Sequence, residues 1–145
     1  MNLKKTVTGI FVSTLVFGIV ATTAIAENYN VNKYNKSYNY SQTQKDMHYT
    51  FSGNSNQAIT SASNITRNSS RYISTYVAKK SRKNDSVITS DSDNIMTTNA
   101  GVYSAISRNQ TDSSVYFYHS AIMKPSASNS YVIASKTYSV SQIPG

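Results

Sequence analysis

The chain has 145 residues, with 14 Lys and Arg against 6 Asp and Glu, and it contains no Cys and no Trp. No disulfide can staple such a fold, and the length supports one hydrophobic core but not two. The basic balance points to anionic partners.

Lys4 and Lys5 open the chain, an apolar run follows from Val7 to Val20, and Ala24-Ile25-Ala26 precedes Glu27. A positive start, an apolar stretch and a small-residue end are the order of a secretory signal peptide, so residues 1–26 are expected to be removed on export. The competing reading is a membrane anchor, because Thr6 to Ala26 nearly reaches the ~20 residues that span a bilayer. The Ala-x-Ala end, with no basic cluster behind it, favours cleavage and an extracellular protein. Export without cysteine, together with Asn-, Lys-, Tyr- and Ser-rich usage, fits a Gram-positive bacterium. Without Lys4 and Lys5, twelve basic residues face six acids, a net charge of +6.

Residues 27–46 read as a flexible Asn/Tyr/Lys-rich segment. Between Asn28 and Tyr40 the only aliphatic side chain is Val31, too little apolar surface to offset the entropy of ordering. Tyr29, Tyr34, Tyr38 and Tyr40, mixed with Lys33 and Lys36, could alternatively grip glycans or anionic polymers by stacking and charge.

From Met47 to Gly145 the pattern is that of a single β-domain. After the signal there is no Leu, and the apolar residues are mainly Ile, Val and Tyr, which suit a pleated, half-buried surface. Met47, Tyr49 and Phe51 alternate with polar residues as a one-sided strand does, and Gly53-Asn54 ends it. Ser55 to Ser70 is ambiguous between strand and short helix. Arg71 to Lys80 alternates again, with Ile73, Thr75 and Val77 on one face. Lys83-Asn84-Asp85-Ser86 predicts a turn into Val87-Ile88-Thr89. The polar Ser90–Asn94 reads as a connection, followed by strands at Ile95–Thr98 and Val102–Ile106. Ser114 to Met123 is the strongest strand, with Val115, Phe117, His119 and Ala121 sharing a face. Pro125 and a Ser/Asn cluster break it, and a last strand is expected over Tyr131–Val140. Six to eight short strands separated by turns predict an all-β fold, a small antiparallel sandwich or barrel.

Chemical motifs are sparse. With no Cys and only His48 and His119, no zinc-ligand spacing exists. Asp91-Ser-Asp93-Asn94 groups oxygen ligands but lacks the Gly and terminal Glu of an EF-hand loop, so it reads as a polar turn. Neither a nucleophile elbow nor a phosphate-binding Gly-rich loop occurs, and no cofactor and no catalytic residue is assigned. An enzyme would need His48 or His119 beside an Asp. The best candidate site is cationic: Lys79, Lys80, Arg82 and Lys83 at a predicted hairpin tip, with Arg67 and Arg71 upstream. Charge focused on a loop attracts anionic polymers or lipids of a cell envelope, and no nucleic-acid motif accompanies it. The alternative is a solvated turn whose lysines keep sheet edges apart.

The strand segment Val115-Tyr-Phe-Tyr-His-Ser120, and a last strand before a short tail, resemble those of small secreted Firmicute β-proteins. Among these are lactococcin-type bacteriocins with β-sandwich folds. The resemblance carries no specific motif. It implies an exported β-sandwich, and a toxin acting on competing bacteria as the alternative to an envelope-binding protein.

Overall fold

The computed structural model describes residues 27–31 and 37–142, the former as backbone only. The expected signal peptide lies outside the described residues, as do Lys33, Tyr34 and Lys36. The described residues form nine strands and no helix: β1 (Glu27–Val31), β2 (Tyr38–Gln44), β3 (Met47–Gly53), β4 (Gln57–Asn64), β5 (Arg71–Ser81), β6 (Val87–Thr97), β7 (Gly101–Ser107), β8 (Val115–Lys124) and β9 (Ala134–Gln142). They make two sheets, β1-β9-β8-β5-β6 and β2-β3-β4-β7. Every pairing is antiparallel except that of β1, which joins β9 in parallel. The all-β fold is the one the sequence predicts, and of its two forms it is the sandwich.

Alternation along the strands decides what lies between the sheets. From the four-stranded sheet come Tyr38, Met47, Tyr49, Phe51, Ala62 and Val102, and from the five-stranded sheet Ile73, Ala121, Met123, Ala134, Tyr138 and Val140. Phe51, Phe117 and Ile73 are fully buried, each stabilising by about 1.5–3 kcal/mol relative to exposure. Tyr40 stacks on Tyr138 across the sandwich, with centroids 4.7 Å apart.

Several sequence readings require correction. Where the segment 27–46 is described it is not a tether: β1 and β2 are edge strands of the two sheets, and Tyr38 and Tyr40 pack into the core rather than facing a ligand, while residues 32–36 lie outside the described residues. In β2 the alternation of inward Tyr38 and Tyr40 with outward Asn39 and Ser41 supplies an apolar face that the segment's overall polarity concealed. The ambiguous stretch 55–70 contains β4, whose inward side chains Ala58, Thr60, Ala62 and Asn64 are small or polar. Ser90–Asn94 is the middle of the eleven-residue β6, not a connection. There Asp91 Oδ2 accepts a hydrogen bond from the Ala105 N–H at 2.9 Å, satisfying a backbone donor of edge strand β7. The last strand starts at Ala134, not Tyr131.

A polar network ties the sheets together. The Thr60 hydroxyl donates to the Tyr76 carbonyl at 3.0 Å, so it can only accept from His119 Nδ1, 2.9 Å away. That leaves His119 Nε2 unprotonated, to accept from the Tyr38 hydroxyl at 2.7 Å. The chain Tyr38–His119–Thr60–Tyr76 therefore has a fixed direction and a fixed tautomer. Burial, assisted by the Arg108 charge, holds His119 down at a pKa of about 3.

Candidate cationic and aromatic face

The predicted basic cluster divides in the fold. Lys79 and Lys80 lie within β5, and only Arg82 and Lys83 stand in the turn that leads to β6. Arg67 and Arg71 do not join them. Arg67 sits in the turn before β5 with a left-handed φ of 59°, and Arg71 begins the strand. At ~3.3 Å per residue, Arg71 is about 30 Å from Lys80. Its guanidinium pairs with Asp46, Nη2 to Oδ2 3.5 Å.

Alternation sends Lys79 and Lys80 to opposite faces of the sheet. Lys79 opposes Phe117 on the inner face, where its charge helps hold the Asp112 carboxyl below the usual range. The larger cause there is hydrogen bonding from the Ser114 hydroxyl and N–H. Lys80 opposes Tyr116 on the outer face, beside a bulge where β6 carries one extra residue between Val87 and Thr89. Its ammonium stands over two rings, 5.6 Å from the centroid of Tyr116 and 5.5 Å from that of Tyr118. Such contacts contribute about 0.5–1 kcal/mol at accessible sites and hold the charge in place.

Tyr76 meets Tyr118 edge to face at 6.2 Å, and Tyr76, Ala78 and Ile122 are buried under Tyr118 and Val132. At the far end of the same outer face, Lys124 lies over Tyr72 at 5.8 Å and donates to the Ala127 carbonyl. The face thus carries an aromatic band with a lysine near each end.

The turn is built locally. The Asn84 side-chain oxygen accepts from the Ser86 N–H and hydroxyl, and Asp85 takes the left-handed conformation at φ 57°. Asp85 then accepts from the Tyr116 hydroxyl at 3.1 Å. Burial, this bond and the Asp85 charge push Tyr116 up to about 12, so its ring stays neutral. Arg82 donates to the Ser113 carbonyl at 3.2 Å, fastening the turn to the β7–β8 loop. Lys83 is exposed.

Sequence reasoning found the cations but missed their partners. Tyr116, Tyr118, Asp85 and Asp112 enter through strand register, which no local motif announces. Arg108 was missed as well. It stacks against Tyr38, bonds Gln142 Oε1 at 2.9 Å and reaches the Asn54 carbonyl. It closes this end of the sandwich from inside.

The histidines have hydroxyl partners, Tyr38 and Thr60 for His119 and Ser41 and Thr43 for His48. Among the described residues no group of three or more His, Asp or Glu is placed to hold a metal. The Asp91–Asn94 stretch, expected as a turn, belongs to a strand. No family model, curated protein or solved structure matches the chain.

Proposed function

We propose that the chain is an exported, non-catalytic binding domain that attaches to anionic polymers or lipids of a Gram-positive envelope. Contact is made through the end of the five-stranded sheet that carries Lys79, Lys80, Arg82 and Lys83. The observation that carries this reading is the placement of Lys80 over Tyr116 and Tyr118 beside the exposed Arg82–Lys83 turn. Phosphate-bearing polymers suit such a site because several cations meet several charges at once. The tyrosines give the polymer backbone an apolar surface to lie against. Arg67 and Arg71 are left out of the contact, Arg71 being about 30 Å from Lys80 along β5 and Arg67 lying before that strand begins.

Pull-down on purified cell walls and on anionic vesicles, at low and high salt, tests the reading. Binding is expected at low salt and should weaken as salt screens the charges. Changing Lys79, Lys80, Arg82 and Lys83 together to Ser should reduce it at least tenfold, since each clustered cation near a negative surface contributes on the order of 1 kcal/mol. Binding that ignores both salt and the substitution contradicts the electrostatic account. Walls retaining the protein where vesicles do not would identify the polymer as the target.

A further inference from the structure

The opposite outer face, that of the four-stranded sheet, has a different chemistry. None of the outward positions of β2, β3, β4 and β7 holds Lys, Arg, Asp or Glu, in a chain with 14 basic residues. Hydroxyls occupy it in register. Ser41 Oγ lies 2.9 Å from Thr50 Oγ1, and the His48 ring is held between Ser41 at 3.3 Å and Thr43 at 3.2 Å. In this face lies a groove of about 210 Å³, bounded by His48 and Tyr103 with Ser61, Ser63 and Gly101 in between. Gly101 keeps it open: a Cβ there would stand 3.2 Å from that of Ser63 and 3.0 Å from the Ala62 carbonyl oxygen. Tyr103 is 66% exposed and offers a ring at the groove's side.

We propose that this face binds a neutral polysaccharide, with one sugar ring seated against Tyr103 in the groove. A sugar ring has a C–H face that packs on an aromatic ring. It also has hydroxyls that both donate and accept, as serine hydroxyls do. The groove is smaller than the ~300–1,000 Å³ of sites that enclose a whole drug-sized ligand, which suits one ring of a longer chain continuing over the hydroxyls. An uncharged face matches an uncharged polymer, whereas an anionic one finds no cation at the described outward strand positions.

Electrophoresis of the full exported chain through native gels containing dextran, a mixed-linkage β-glucan or a galactomannan tests this. A polygalacturonate gel serves as the anionic arm. Retardation in at least one neutral gel is expected, undiminished at high salt and retained by the variant lacking the four cations of the other sheet. Tyr103→Ala should weaken it roughly tenfold, the loss of one aromatic stacking contact, with an unchanged melting temperature. His48→Ala, at the other side of the groove, should weaken it as well. No retardation in any neutral gel, or retardation that both substitutions leave intact, overturns the proposal. So does a dimer in sedimentation that Tyr103→Ala dissociates, because the face would then be covered by a second copy.

Discussion

The outer faces of the two sheets share a core and differ in almost everything else. The five-stranded sheet shows lysines held over tyrosine rings, and the four-stranded sheet shows hydroxyls, an imidazole and one exposed tyrosine without a formal charge. The difference teaches that net charge is a poor guide to where a basic protein makes contact. Among the described residues, the outward strand positions of one broad face carry no Lys, Arg, Asp or Glu, although the chain as a whole is basic. On the two proposed readings, anionic and neutral polymers are recognised independently, one contact sensitive to salt and the other not.

Both faces depend on the network between them, so the largest expected effect comes from breaking it. Folded His119 stays neutral down to about pH 3, whereas in the unfolded chain it takes a proton near 6.5. Because the folded value is the lower, the stabilisation is complete above pH 6.5 and is lost as pH falls toward 3. It amounts to on the order of 5 kcal/mol. Urea unfolding across that range should show the decline. His119→Gln, which keeps a donor and an acceptor but does not titrate, should flatten it. His119→Ala should cost about 3–5 kcal/mol at neutral pH, leaving the Tyr38 and Thr60 groups without their partner. Both faces should lose binding together in that variant.

A smaller effect is expected from one edge of the four-stranded sheet. Gly53 opposes Tyr38 in the register, and a Cβ on Gly53 would run into the Tyr38 ring. Gly53→Ala should therefore cost about 1–3 kcal/mol through overpacking, read as a lower denaturation midpoint. The smallest stability effect belongs to the quadruple Ser variant of the cationic end, whose melting temperature should fall by only a few degrees. It removes the contacts of Lys80 with Tyr116 and Tyr118 and the Arg82 bond to the Ser113 carbonyl, about 1–2 kcal/mol together. A large drop there would show that the lysines hold the sandwich closed.

How much of this was legible depended on what each strand buries. In β3 large apolar residues alternate with polar ones, and in β5 and β8 the inward Ile73, Val77, Val115 and Phe117 keep an even spacing, so the sequence reveals the strand and its inward face. In β4 the inward positions are Ala58, Thr60, Ala62 and Asn64, because large side chains of the opposing sheet fill the space, so no apolar period is left to read. In β6 most residues are exposed as an edge strand allows, and its acids mimic a loop. The cationic residues were visible as a run, yet Lys80 is stood over Tyr116 and Tyr118 by the register of β5 on β8, which pairs it with the distant Tyr116, beside a bulge against β6. The groove was invisible for the same reason: His48, Ser61, Gly101 and Tyr103 come from three strands and carry no shared motif.

Amide chemical-shift mapping during titration with a short polyphosphate tests the central claim most directly. The account predicts shifts concentrated over Lys79–Ser86 and in Val115–Tyr118, fading as salt is added, with the outward residues of β3, β4 and β7 unmoved. Shifts centred on Arg67 and Arg71, or spread over the uncharged face around Tyr103, would contradict it.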